Sequence, residues 1–138
     1  MAGITSALCT SFKVELLEGD HDFNNGADAY KVALLKANAS ITGTYDATTT
    51  NYSNVTGNSD ELPNGSGYTT GGYALTNVNP TSSGTTAFTD FSANAAWSSA
   101  TFTTRGCIIY NTSDGNSAVA VINFGADYSV SGLSLIHI

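Results

Sequence analysis

The stretch from Thr101 to Phe124, TFTTRGCIIYNTSDGNSAVAVINF, restricts the fold more than any other part of the chain. Two apolar runs, Cys107 to Tyr110 and Ala118 to Ile122, flank a polar segment from Asn111 to Ser117. Within that segment Asp114-Gly115 supplies the residue types that tolerate positive φ in a tight reversal, so the whole reads as a β-hairpin. Both runs are apolar at consecutive positions instead of alternating. That pattern predicts strands covered on both faces, at the centre of a sheet. Ile108, Tyr110, Val119 and Val121 are therefore expected among the most buried residues.

The remaining elements are arranged around this hairpin. Ile4, Leu8, Phe12 and Leu16 recur at intervals of four, and Thr5 or Ser6 can cap the start, which predicts a helix over Ile4 to Leu17 within residues 1–19. Its apolar stripe is expected to cover an open face of the sheets. Glu18 to Asp28, dense in Gly, Asn and Asp, ends the helix in a loop. Strands are expected over Tyr30 to Ala37, Tyr73 to Val78, Thr85 to Phe91 and Ala95 to Phe102. Between them Asn38 to Gly67 is a polar excursion with a short strand near Ser40 to Tyr45 or Tyr52 to Val55. Gly67, Gly71 and Gly72 mark turns at positive φ or close backbone approaches. Many short strands and one helix predict an all-β protein: a single domain over residues 1–138, an antiparallel β-sandwich of the jelly-roll or immunoglobulin-like kind with one N-terminal α-helix. Leu133 to Ile138, LSLIHI, resembles the peptide made when sequencing-adapter DNA is translated. Residues 133–138 are thus expected to be a non-native tail, His137 included, with the natural chain continuing past about Gly132 into one further strand.

Charge narrows the function. Charged residues are 11% of the chain, and the formal net charge of −7 leaves Lys13, Lys31, Lys36 and Arg105 as the cations. Neutralising phosphates takes a cluster of cations, so neither nucleic acid nor an anionic membrane is an expected partner. Apolar runs fall short of the roughly 20 residues of a membrane span, and the first residues lack a signal-peptide pattern, so synthesis in the cytosol is expected. Cys9 and Cys107 have no metal spacing and read as buried small hydrophobes, with a disulfide as the alternative.

No arrangement of residues suggests catalysis. General acid-base or nucleophilic work needs a positioned base. His21 and His137 are the two histidines, and neither sits in a recognised nucleophile, zinc or phosphate-loop motif. The chain is expected not to be an enzyme and to have no catalytic, cofactor-binding or metal residues. The segment Asp20 to Asp28 places oxygens at Asp20, Asp22 and Asn24 as a calcium loop would. Its glycine falls one place late and no bidentate Glu follows, so a loop capped by its own Asp and Asn side chains is the favoured reading. Tyr45, Tyr52, Tyr68, Tyr73 and Trp97 could present flat faces to a glycan, or could line the core with their polar tips satisfied.

Several pieces together resemble a family of small virion structural proteins of tailed bacteriophages, especially marine and cyanobacterial phages. They are the opening MAGITSALCTSFKVELLEG with His21 and Phe23, the strand Tyr30 to Leu35, and Glu61-Leu62-Pro63 leading into Gly67 to Gly72. A fourth piece runs from Thr85 to Phe91 through Trp97 and Arg105-Gly106 to Asn123-Phe124-Gly125. The resemblance spans most of the chain to about Asp127, departing in the longer Asp20 to Asp28 loop and at a C-terminus that reads as truncated. It implies a non-enzymatic virion component, a capsid decoration or cement protein or a tail-associated protein, made in the bacterial host cytoplasm. Capsid or tail subunits and further copies of the chain are the partners it implies. A tail-tip host-recognition or glycan-binding module is the alternative.

Overall fold

The computed structural model describes residues 2–136; Met1, His137 and Ile138 lie outside them. Two short strands, β1 (Gly3–Ile4) and β2 (Ala7–Leu8), precede helix α1 (Thr10–Glu18) and strand β3 (Tyr30–Lys36). The polar excursion holds a 3-10 turn (Asn38–Ser40), β4 (Thr44–Tyr45) and a single-turn helix α2 (Ser53–Gly57). After it come β5 (Tyr73–Leu75), β6 (Asn77–Ser83), β7 (Thr86–Phe91) and two long strands, β8 (Ala95–Asn111) and β9 (Ser117–Ile136).

The fold is all-β and sandwich-like, built on a five-stranded antiparallel sheet of order β2-β9-β8-β3-β5. The β8–β9 hairpin lies at its centre, as the sequence predicts. Cys107 pairs with Ile122, Ile108 with Val121 and Ile109 with Ala120, while Ala33 and Leu34 of β3 flank β8 on its other side. Consecutive apolar residues are needed because both faces are covered. One face carries Tyr30, Val32 and Ile109 under Phe12, His21 and Phe23, with Phe23 stacked on Tyr30 at 4.5 Å. On the other face Tyr52 from the excursion stacks on Tyr110 at 4.2 Å, nearly parallel. Ile108, Tyr110, Val119 and Val121 are all buried. Beyond this sheet, β6 and β7 form their own antiparallel hairpin, and β1 pairs with β4 in parallel, a departure from the wholly antiparallel arrangement expected.

The ladder between β8 and β9 breaks once in a large way. Thr104 pairs with Tyr128 but Gly106 pairs with Asn123, so residues 124–127 of β9, with Gly125 at φ 84°, stand against Arg105 alone on β8. Such a bulge bends the strand and increases its twist. It divides the ribbon into a central half inside the five-stranded sheet and an outer half, where Ala95 to Thr104 pairs with Tyr128 to Ile136. The backbone of Leu133 to Ile136, read from sequence as a tail, is paired strand; His137 lies outside the described residues.

The N-terminal helix is shorter than its periodicity suggests. It starts at Thr10, with Cys9 at the cap position and no side-chain cap, and ends at Gly19 in the left-handed conformation. Ile4 and Leu8, which fit the four-residue spacing, lie instead in β1 and β2. Backbone partners decide this: Gly3 and Thr5 donate N–H to Gly43 and Tyr45 carbonyls, and Asn123 donates its amide to the Ile4 carbonyl. The stripe expected to cover the sheet is largely turned outward. Phe12 is buried, whereas Leu8, Val14 and Leu16 are about half exposed and Leu17 is 91% exposed. Elsewhere Ser53 to Val55 is helical, with Tyr52 at the cap, where a strand over Tyr52 to Val55 is one of the two options in the sequence, and Pro80 lies within β6 at a bulge instead of at a strand end.

Candidate functional site

Three buried polar centres contain the ionisable chemistry nearest the core. In the first, the excursion folds back around the adjacent carboxylates of Asp60 and Glu61, both buried. Asp60 accepts hydrogen bonds from the Thr42 N–H (3.0 Å), the Gly43 N–H (2.7 Å), the Thr42 hydroxyl and the Tyr45 hydroxyl (2.6 Å). Burial alone would raise its pKa, but these donors outweigh it, Tyr45 foremost, and hold the carboxyl below the usual carboxylate range.

Glu61 faces the opposite way. It accepts from the Tyr68 hydroxyl (2.7 Å), the Gly71 N–H (2.7 Å) and the Tyr52 hydroxyl. Tyr110 completes the ring by donating to the Gly71 carbonyl at 2.7 Å. Burial, reinforced by the Glu61 carboxylate, pushes the phenols of Tyr52 and Tyr68 up, so they remain donors. Gly72, next along, packs against β3 so tightly that a Cβ there would sit 2.0 Å from the Val32 carbonyl oxygen, and its φ is 82°. Gly67 and Gly71 also have positive φ, as the sequence implies.

The third centre gathers Glu15 of α1, His21 of the following loop and Asp114 of the β8–β9 turn, whose ligand-type atoms lie within 4.8 Å of one another. One histidine and two carboxylates could serve a transition metal. The surroundings of His21 oppose it. The Asn111 amide nitrogen donates to Nδ1 at 3.0 Å and to Asp28 at 2.8 Å, and the Asn111 oxygen is fixed by the N–H groups of Ser113 and Asp114. With Nδ1 accepting, the ring proton resides on Nε2 and points at Glu15, 2.8 Å away. Either ring nitrogen can ligate a metal only through a free lone pair, and here Nε2 carries the proton shared with Glu15 while the Nδ1 lone pair is taken by Asn111. The group is a strut joining α1, the loop and the hairpin turn.

Sequence reasoning weighed His21 alone and read Asn111 and Asp114 only as turn residues, without Glu15, because three separate elements bring the four together. It also passed over Asp60 and Glu61, whose one local signal is an acidic pair in a segment otherwise nearly free of charge. In the Asp20 to Asp28 loop, Asp22 accepts from the backbone and side-chain amides of Asn24, and Asp28 accepts from the Asp22 N–H. These oxygens cap their own loop. The aromatic residues line the core: Tyr45, Tyr68 and Trp97 are buried, and Tyr52 and Tyr73 are half-buried. A polar depression of about 490 Å³ lies between Thr44, Thr48, Ser53 and Asn58, but Tyr45 turns its ring inward there. Asn54 and Asn58 spend their side chains on Thr50, Asn51 and Tyr45. Cys9 and Cys107 are free and buried, burial pushing their thiols up to about 11 and about 12.

What the described residues turn outward is different in kind. It is a hydroxyl-rich surface, the apolar outer side of α1, and the β6–β7 hairpin, on which Val78 and Phe88 are exposed. No helix of the described residues is long and apolar enough to cross a membrane. Comparison of the chain with protein-family models, curated proteins and solved structures finds no match.

Proposed function

We propose that the chain is a non-enzymatic structural subunit of a tailed-bacteriophage virion, a capsid decoration or cement protein or a tail-associated protein. The observation that carries this reading is a division of labour among side chains. The carboxylates of Asp60 and Glu61, and His21, are engaged in holding loops to the sheet, while Val14, Leu16 and Leu17 are exposed on one helix. Groups occupied in this way have no free valence for substrate chemistry, and exposed apolar side chains gathered on one element suit contact with another subunit. The motif resemblance over most of the chain supplies the virion setting. The glycan-reading alternative rests on the rings of the polar excursion and Trp97, and of these Tyr45, Tyr68 and Trp97 are packed inside.

Mass spectrometry of purified particles from a phage encoding this chain tests the proposal. The protein should be present at a copy number comparable with other structural subunits, and labelled antibody should decorate the head shell or the tail. Particles free of it would overturn the reading.

A further inference from the structure

We infer that strand β7 is a homotypic docking edge, through which two copies of this chain pair antiparallel about a twofold axis beside Phe88, joining two β6–β7 hairpins into one four-stranded sheet. This deepens the structural-subunit reading by naming a partner and a surface, and it rests on that reading for its biological setting.

The hairpin is unusual in its exposure. It is tied to the body near its base, where Phe91 lies against Tyr30, Asn79 accepts from the Asn25 N–H and Asn77 donates to the Asp28 carbonyl. From Val78 to Asp90 every residue is exposed. A two-stranded ribbon bare on both faces is marginal in water, and a third strand is what makes such a unit stable. The two outer edges are not equivalent. β6 contains Pro80 and breaks register between Val78 and Thr81, features that blunt an edge. β7, reading TAFTDF, has no proline, lysine or bulge of its own.

Strand parity and chemistry select one pairing. The reversal at Gly84-Thr85, with Gly84 at φ 60°, makes Ser83–Thr86 the first rung, so the N–H and C=O groups of Ala87 and Thr89 point away from β6. Antiparallel pairing of two β7 edges can join only these outward groups. Centred on Phe88, it bonds Ala87 of each copy to Thr89 of the other. The two Phe88 rings then meet at a close, non-hydrogen-bonded position, where aromatic pairs add stability. In the same register each Asp90 faces the other copy's Thr86, a hydroxyl donor opposite a carboxylate. Shifting the centre to Thr89 sets Asp90 opposite Phe88. Charge is compatible with a second copy as occupant: the chain is at −7, yet Val78 to Thr89 holds no charged residue, and the Phe88-centred register puts the two Asp90 carboxylates at opposite ends of the contact, each facing a Thr86 hydroxyl, so no like charges are set side by side.

Six-residue strands bury less than a standard interface, so association should be weak, with half-dimerisation at roughly 10–100 µM. Sedimentation velocity over a concentration series should show this. Thr89→Pro removes one outward N–H and leaves the internal ladder whole; it should weaken dimerisation by at least about tenfold with an unchanged melting temperature in dilute solution. Phe88→Cys should form a disulfide-linked dimer with oxidised glutathione, and Ser83→Cys, on β6, should not. Wild-type protein that stays monomeric to about 1 mM, or equal cross-linking at both positions, would overturn the contact. Neither result touches the particle assay, which decides the broader reading separately.

Discussion

Raising the pH should unfold this protein cooperatively, because its phenols are held protonated by the fold. Tyr30, Tyr45, Tyr68 and Tyr110 are each no more than 2% exposed. Burial is the leading cause that raises all four, and Tyr110 is pushed up to about 12. A phenol whose folded pKa exceeds its unfolded value contributes stability that is complete below the unfolded pKa, near 10, and is lost as pH climbs beyond it. At pH 11 each such group withdraws about 1.4 kcal/mol, since the unfolded chain releases a proton that the folded chain keeps. Four groups withdraw roughly 6 kcal/mol, within the 5–15 kcal/mol that usually holds a domain together. The thiols of Cys9 and Cys107 act in the same direction and start earlier, above about pH 9. The assay is an alkaline titration that follows tyrosinate absorbance and circular dichroism together. Absorbance from the buried phenols should appear in step with loss of the sheet signal, in a transition complete by about pH 12. A gradual rise in absorbance centred near pH 10, with the sheet signal intact, would refute the reasoning, since it would mean the rings ionise in place.

Two substitutions probe the loop anchors. Asp60→Ala removes the acceptor for Thr42, Gly43 and Tyr45 and should cost roughly 3 kcal/mol in denaturant melts at neutral pH. Because the folded pKa of Asp60 is depressed, its contribution is present above the unfolded carboxylate pKa of about 3.9 and fades as pH falls through the folded value, so the variant and the parent should converge in acid. Gly72→Ala forces a Cβ to within 2.0 Å of a backbone oxygen at φ 82° and should prevent folding, whereas Gly84→Ala, with open space around it, should cost only about 1 kcal/mol. Equal melting temperatures for the two glycine variants would show that the β3 contact is not as close as described.

What the sequence made legible is what local pattern controls. The central hairpin was readable because apolar density and a polar turn holding a glycine both act over a few residues, although positive φ falls at Gly115 and Asn116 and not at Asp114; that Glu18 to Asp28 ends α1 in a loop was readable from its local density of Gly, Asn and Asp. The start of α1 misled because Ile4 and Leu8 satisfy a helical spacing by coincidence, while their conformation is set by Gly43, Tyr45 and β9, more than 30 residues away. Within the excursion, order comes from two carboxylates collecting donors at Thr42, Gly43, Tyr45, Tyr52, Tyr68 and Gly71, and such convergence has no period to detect. The His21 centre was hidden for the same reason: its strength lies in Asn111, which in sequence is only the residue after a strand.

Trp97 lies on the outer half of the β8–β9 ribbon, among Tyr68, Tyr73 and Phe102 with ring centroids 5.7–6.3 Å away, and it is the single tryptophan of the chain. Its fluorescence therefore reports on the seam where the outer half of the ribbon packs against Tyr68 and against Tyr73 of β5, the edge strand of the central sheet. The stacked pair Tyr52–Tyr110 sits on the other side of the Gly125 bulge, over the central half of the sheet. Among the chain's seven tyrosines, Tyr68 and Tyr73 lie against Trp97, so tyrosine-to-tryptophan energy transfer reads chiefly whether that seam is closed. Loss of that transfer before the sheet signal falls would mark the outer half as a separate folding unit, and simultaneous loss would mark the two halves as one.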